Sequence, residues 1–429
     1  MPKEMKDSGI EWIGEIPKEW KIVKVKKIFL LGRGRVISKL EISQEGEYPI
    51  YSSQTKDNGC LGYINTYDYD KPQLTWTTDG ANAGTVFLRE GKYNCTNVCG
   101  TLLPYNENND LKYLCYILGY VSFYNKRADI NGYKIMNNEM ANIKIVIPNL
   151  NEQKRIASFL DKKCAEIDRI IEETKATIEE YKKLKQSIIT EAVTKGIRKN
   201  RPMKDSGVEW IGEIPEDWDC TKITHIADDR HPYAIGDGDH GLIKTTDYVD
   251  EGIPFIRVQN LTWCSELNMK NVVYISNENN EKIKGSILKP GDILFAKTGA
   301  TIGKTGIVPE SLPISNTTSH IGKISVNIKY NEKYILYFLS SKLGYKQFWD
   351  IAIQKTTRPE LAIDEIKQMK VIIPQRKEEQ DEIVAYLEKH SKELDLIIDR
   401  KSNLLKELDM YKKSLIYEYV TGKKEVIGE

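Results

Sequence analysis

From Asn151 to Gly196, apolar or tolerated residues recur with the rhythm of a heptad seam: Leu160, Cys164, Ile167, Ile171, Thr174, Ile178, Tyr181 and Ile188. Charged residues fill the other faces. Adding 227 to each number lands on Leu387, Ser391, Leu394, Ile398, Lys401, Leu405, Leu408 and Leu415, so Lys377 to Lys423 repeats the pattern without a gap. At about 1.5 Å per residue each stretch predicts a helix roughly 65–70 Å long, too long for an ordinary core to wrap. The expectation is that each copy buries its seam against the other.

The duplication extends beyond the helices. MKDSGIEWIGEIP at Met5–Pro17 returns as MKDSGVEWIGEIP at Met203–Pro215, with twelve of thirteen positions identical and Trp20 and Trp218 at one offset. Trp12, Ile13, Ile16 and Trp20 suit docking, and Gly14 and Pro17 suit turns. Base stacking is a second reading for the tryptophans, but the same residues precede two divergent bodies, which favours packing. In the bodies, Gly80-x3-Gly84 precedes Asn97 as Gly299-x3-Gly303 precedes Asn316, thirteen residues after the second glycine in each. Helical phrases follow at Lys112–Leu118 and Lys333–Leu339, then strand-like runs into Pro148 and Pro374. Short apolar runs at Tyr48–Tyr51 and Ile253–Val258 read as strands. The expected organisation is a cassette (1–20), a mixed α/β body (21–148), a long helix (149–197), a hinge and second cassette (198–220), a second body (221–374) and a second helix (375–425). The fold class is α+β: two mixed α/β domains and two long antiparallel helices forming a coiled coil, with a pseudo-twofold internal repeat.

Composition changes little in this picture. Of 429 residues, 40% are hydrophobic and 29% charged, and the net charge of +1 announces no nucleic-acid binder, so any such charge must be arranged locally. The seven cysteines are scattered without a framework, and the start lacks a signal peptide's apolar core, which points to a reducing cytoplasm.

Catalytic chemistry is thin. KTGATIGKTG at Lys297–Gly306 resembles a phosphate loop but leaves three residues between its glycines where the Walker pattern needs four, and its sibling at Thr77–Val86 has no lysine. A tight turn is one alternative. A recognition loop is another, because glycine lets backbone approach a ligand while Thr77, Thr78, Asn82, Lys297, Thr298, Thr301 and Lys304 flank Gly80 and Gly299. Five histidines never pair with cysteines at metal spacing. Cys95-x3-Cys99 is a half-site whose offset counterparts, Ile314 and Thr318, are not ligands, so the pair reads as packing and no metal is expected. Glu365-x-Lys367 matches a fragment of a nuclease motif at the level of chance. Basic and amide side chains remain. Arg33 and Arg35 lie in LGRGRVISK, Arg257, Gln259 and Asn260 follow a strand, and Thr357 and Arg358 end the polar stretch begun by Lys355 and Thr356. Arginine can pair with guanine, and Asn or Gln with adenine. Each alone is an ordinary surface residue. As a set, with Asn97 and Asn316, they are candidate DNA contacts.

The order cassette, body, helix, cassette, body, helix, with EWIGEIP-x-x-W, the strand ending in proline, Glu152-Gln153 and Glu379-Gln380, and helix ends SIITEAVTKG and SLIYEYVTGK, resembles the DNA-specificity subunit of type I restriction–modification enzymes over essentially the whole chain. The resemblance implies that each body is a target-recognition domain reading one half of a split double-stranded DNA target. It implies an antiparallel helix spacer that docks methyltransferase subunits, two of them, and through the complex restriction subunits. The helix positions proposed for partner binding are Ile167, Ile171, Ile178, Leu394, Ile398 and Leu405. It further implies no catalytic residue and no cofactor in this chain, with S-adenosylmethionine, ATP and Mg used by partner subunits.

The duplication independently suggests a pseudo-dyad that matches two half-sites on one duplex. The bodies differ, so the target is expected to be asymmetric. Two other classes compete: a coiled-coil scaffold without DNA, in which Lys401 and Lys412 await another chain's acids, and a nucleotide-using hydrolase built on Lys304.

Overall fold

The computed structural model describes residues 3–43, 45–130, 132–263, 265–312, 314–354 and 359–426. The polypeptide forms two compact units, one built from 1–175 and 402–429, the other from 176–401. Each unit therefore contains a cassette, a body and a half of each long helix.

In the first unit the cassette is a hairpin, Met5–Asp7 paired antiparallel with Glu15–Pro17. Ile13, Ile16 and Trp20 are buried, as their apolar character predicts, and Trp12 stacks on Tyr124 with centroids 5.8 Å apart. The body opens and closes on one strand pair, Lys21–Lys24 against Lys144–Ile147. Between them lies a four-stranded antiparallel sheet in the order Phe29–Arg33, Cys99–Pro104, Gln73–Thr77, Val86–Arg89. A smaller sheet sets Asn94–Cys95 parallel to Tyr48–Tyr51, which pairs in turn with Cys60–Ile64. The helix Leu111–Asn125 starts where Asp110 accepts from the Tyr113 N–H, an N-cap that satisfies one orphan donor.

The second unit repeats this plan on different residues. Its hairpin pairs Met203–Asp205 with Glu213–Pro215, and its closing strands are Trp218–Lys222 and Lys370–Pro374. The four-stranded sheet runs Ile235–Asp237, Ile321–Ile324, Ile293–Ala296, Thr305–Ile307 in the same order. Asn331 caps the helix Glu332–Ser340 as Asp110 caps its counterpart.

The long helices span Leu150–Lys195 and Lys377–Val420. Their halves run antiparallel within each unit. In the first, Phe159 packs on Tyr419 and Lys412 lies 2.6 Å from Asp168; in the second, Lys185 lies 2.7 Å from Asp395, and Arg198, just past the first helix, lies 2.7 Å from Glu382. The two Lys–Asp pairs are images of each other under the 227-residue offset. Lys412 is thus paired within the chain and does not await a partner's acid. The seam residues Leu160, Cys164, Ile167, Thr174, Ile178, Leu387, Leu394 and Leu415 are buried, as the heptad requires.

Gln153 and Gln380 show what the Glu-Gln openings do. Gln153 Nε2 donates to the Pro148 carbonyl while its Oε1 accepts from the Asp110 N–H; Gln380 does the same with Pro374 and Asn331. Each glutamine bolts a long helix to its body. Among the described residues no helix is long and apolar enough to cross a membrane.

Candidate nucleic-acid interface

Each body presents one glycine-framed turn, and the two turns share a hydrogen-bond pattern. Gly84 N–H donates to Thr77 O and Ala83 N–H to Gly80 O; Gly303 N–H donates to Ala296 O and Ile302 N–H to Gly299 O. All four glycines have positive φ, between 66° and 91°, a backbone that other residues rarely adopt. The turn in the second body is a short 3-10 segment, Gly299–Thr301, that leads into the strand Thr305–Ile307 rather than a helix. A phosphate loop needs a helix N-terminus there, so the nucleotide reading of Lys304 loses its structural context. Lys304 Nζ instead sits 5.7 Å from the centroid of the Trp263 ring.

Strand register gives the equivalence between bodies and corrects the spacing of the asparagines. Asn94 lies beside Ile50 in a parallel pair, and Asn316 lies beside Phe255 in the corresponding one. Cys99 N–H donates to Thr96 O as Ile321 N–H donates to Thr318 O. The counterpart of Asn316 is therefore Asn94, and that of Asn97 is Ser319. The segment after the second glycine is three residues longer in the second body, ten against thirteen to the matched asparagine. The signal was present as N-C-T-N-V-C-G against N-T-T-S-H-I-G, ending at Gly100 and Gly322. Those glycines are fixed sterically, since a Cβ would lie 2.2 Å from the Trp76 ring at Gly100 and 2.2 Å from the Phe295 ring at Gly322. Strand register also reveals a second shared frame. Gly32-Arg33-Gly34-Arg35 corresponds to Gly236-Asp237-Gly238-Asp239, because Arg33 pairs with Gly100 and Asp237 with Gly322.

The candidate residues divide into those that hold the frame and those that project from it. Thr77 and Thr78 are buried, and Thr78 Oγ1 donates to the Val98 carbonyl. Asn260 is buried, accepting from Arg257 N–H and donating to Asn268 O, which closes its own loop. Asn316 is buried against Asn280 and Ile283 O. Thr298 is buried beside the His320 ring, 3.2 Å away, and Lys297 is buried between Asp237 and Glu360. These six were expected to touch DNA; burial with satisfied or enclosed polar atoms makes them supports. Arg257 is half-committed, its guanidinium donating to Asn271 O and lying over Tyr248. Thr301 donates to Thr298 O within the turn.

Arg33, Asn82, Asn97 and Gln259 are exposed. Arg33 Nε donates to the Asn97 carbonyl, which brings that arginine and amide together, while Asn82, on the glycine turn itself, donates from Nδ2 to the Ser53 carbonyl. Arg35 is tied to Asp68 and Glu41 at 3.0 and 3.1 Å. Beside the turn, the hairpin Arg127–Asp129 with Gly132–Lys134 pairs onto Asp79–Gly80 and brings Tyr133 and Lys134 to the same edge. Neither was expected from sequence. Thr357 and Arg358, with Lys355 and Thr356, lie outside the described residues.

The positions proposed for partner binding need a similar correction. Ile167, Ile178 and Leu394 are buried in the chain's own helix packing, Ile171 packs against the first unit's core, and Ile398 and Leu405 are half-buried. Exposed large apolar positions on the long helices are instead Ile170, Leu184, Tyr386, Leu396, Leu404, Met410 and Tyr411. Cys95 and Cys99 are buried in a cluster with Tyr93, Tyr51 and Tyr69, which makes them packing residues, and among the described residues no group of three or more His, Cys, Asp or Glu could hold a metal.

The family model of the type I restriction modification DNA specificity domain matches residues 17–180 and 236–407, one stretch for each body and its following helix. The chain belongs to this family. A putative type I specificity subunit N-terminus from Mycoplasma pneumoniae is 43% identical over 144 residues, covering 33% of this chain and 76% of that protein. The type I restriction enzyme MjaVIII specificity subunit of Methanocaldococcus jannaschii is 25% identical over 426 residues, 95% of this chain and 93% of that one. Two solved structures share the fold. A chain from a study of complex assembly and conformational transition of the type I system has a TM-score of 0.70 at 14% identity, covering 95% and 99% of the two chains. The HsdS subunit from Thermoanaerobacter tengcongensis has a TM-score of 0.50 at 14% identity, with 97% and 100% covered. Type I specificity subunits bind DNA and assemble with methyltransferase and restriction subunits, and the two matched domains suit a target in two parts.

Proposed function

We propose that each body of this specificity subunit reads one half of an asymmetric, bipartite double-stranded DNA target, the first through Arg33, Asn82 and Asn97, the second through its matched turn with Gln259. The observation that carries this is the shared frame: one hydrogen-bonded turn, one glycine pair and one sheet order, with side chains that diverge where they are exposed. A fixed scaffold with changed projecting groups is what two recognition surfaces of different specificity require.

The long helices set the separation of the half-sites and dock methyltransferase subunits, two in number, through exposed positions such as Leu404 and Tyr411. Adenine methylation with S-adenosylmethionine, and ATP- and Mg-dependent cleavage, belong to the partner chains, so the isolated subunit has no turnover. Cytoplasmic residence goes with that role. Methylome sequencing of the host with and without this gene tests the proposal. Loss of one split adenine-methylation motif supports it, and an unchanged methylome refutes it. Removing one heptad from each helix is expected to change the spacer or abolish methylation; an intact motif with its original spacer would overturn the ruler role.

A further inference from the structure

The shared frame allows side chains to be compared position by position. Arg33 and Asp237 occupy one position by strand register. Thr78 and Lys297 occupy a second, since their N–H groups donate to Val98 O and His320 O. Ile135 N–H donates to Thr78 O and Leu361 N–H to Lys297 O, which places Lys134 and Glu360 at a third. The first body thus reads Arg, Thr, Lys where the second reads Asp, Lys, Glu. Both outer charges are inverted.

In the second body the Lys297 ammonium lies 2.8 Å from Asp237 and 3.3 Å from Glu360, and the His240 ring 3.3 Å from Asp237. Lys297 and Asp237 side chains are only 9% and 11% exposed, whereas Glu360 is 48% exposed. A buried cation therefore anchors two carboxylates, one of which opens to solvent at the strand edge beside the glycine turn, where Thr298 bridges to Glu360. Carboxylates only accept hydrogen bonds, while arginine and lysine only donate. In the major groove, cytosine N4 and adenine N6 offer amino donors, and guanine offers the acceptors N7 and O6. Lys297 also limits the repulsion that a bare pair of carboxylates would feel from phosphates, since the three groups together carry a single negative charge.

We propose that Glu360, held by Lys297 and backed by Asp237, is a specificity-determining residue of the second body that accepts from an exocyclic amine of cytosine or adenine, and that Arg33, which stands in the first body where Asp237 stands in the second, donates to guanine. This rests on the DNA-reading function above. The test uses the full chain assembled with its methyltransferase partner and a pool of duplexes randomised in both half-sites, with methylated products sequenced. Glu360→Gln, which replaces one carboxylate oxygen by a donor, is expected to relax a cytosine or adenine position in the second half-site by roughly 5- to 150-fold, the span of a good base contact, and to leave the first half-site unchanged. Arg33→Gln is expected to do the reverse at a guanine position. Either variant keeping the parental motif with the parental preference at every position overturns the inference. If the parental complex itself yields no split motif, the DNA-reading function fails instead. The unmutated half-site in each variant reports that the chain is folded and assembled.

Discussion

Tyr113 and Tyr334 each pin a body to the end of a long helix, and removing one hydroxyl should loosen one unit by a calculable amount. Tyr113 is fully buried, and its hydroxyl lies 2.9 Å from Val146 O on the closing strand and 3.1 Å from Val420 O at the end of the second long helix. Tyr334 does the same in the other unit, 3.1 Å from Ile372 O and 3.2 Å from Val193 O. Burial pushes both phenols well above their ordinary pKa, so the proton stays on the oxygen and each remains a donor at any working pH. Tyr113→Phe keeps the ring and its packing. It removes one donor and leaves two buried carbonyls without it, which costs about 1–2 kcal/mol, a typical net hydrogen bond plus part of the desolvation penalty. That is roughly a 5- to 30-fold rise in the opening equilibrium of the pinned segment. Amide hydrogen exchange with peptide resolution is the suitable assay, because a chain of two units does not guarantee a single unfolding transition. In Tyr113→Phe, protection should fall by that factor in Lys144–Ile147 and in the last turns before Val420, and stay at the parental level around Ile372 and Val193. Tyr334→Phe should give the mirror result. Unchanged protection at Val420 in Tyr113→Phe would refute the pin.

The mirrored ion pairs Lys412–Asp168 and Lys185–Asp395 are half-exposed on their acidic side, so each is worth only about 0.3–1 kcal/mol; Asp168→Lys should lower the melting temperature, and Asp168→Lys with Lys412→Asp should recover most of the loss, measured by calorimetry. Gly100→Ala and Gly322→Ala should each cost about 1–3 kcal/mol in urea unfolding, because the added methyl meets a buried ring; Trp76 cannot retreat without straining its 3.0 Å bond to Ile135 O. Purified chain should neither bind nor hydrolyse ATP, and Lys304→Ala should leave that baseline unchanged, as followed by calorimetric titration and phosphate release.

Much of the architecture was legible because its physical causes are periodic or repeated. The heptad at Leu160 to Ile188 names the face that is buried, and the second copy repeats it because the same constraint acts twice. The helical phrases at Lys112 and Lys333 and the strands ending at Pro148 and Pro374 read correctly for the same reason. Side-chain roles were less legible. Thr78, Asn260 and Lys297 have the chemistry of DNA contacts, and nothing in a one-dimensional string says that their polar atoms are turned inward to Val98, Asn268 and Asp237. Counting from Gly84 and Gly303 to the asparagines failed because the intervening connection changes length, while the strand pairing does not. The hairpin carrying Tyr133 and Lys134 left no signal beyond a few polar residues.

The change in connection length shows which quantity is held constant between the two bodies. It is neither spacing nor charge, since a connection grows by three residues and Arg33 and Lys134 become Asp237 and Glu360. What persists is the set of backbone conditions: positive φ at Gly80, Gly84, Gly299 and Gly303, a missing Cβ where Gly100 meets Trp76 and Gly322 meets Phe295, and the carbonyl of residue 77 or 296 facing the second glycine's N–H. None of these conditions restricts a side chain that points to solvent. A duplicated domain under such constraints is free to reverse its exposed charges without altering its fold, and the buried Lys297 stands where it offsets the carboxylates of Asp237 and Glu360. Exchanging Asp237 and Glu360 for Arg and Lys while Lys297 becomes Thr should leave the second unit folded, as judged by exchange protection in Ile321–Ile324, whereas the same two charge reversals with Lys297 retained should destabilise it. Equal stability of the two variants would mean that the buried lysine does not answer to its surroundings.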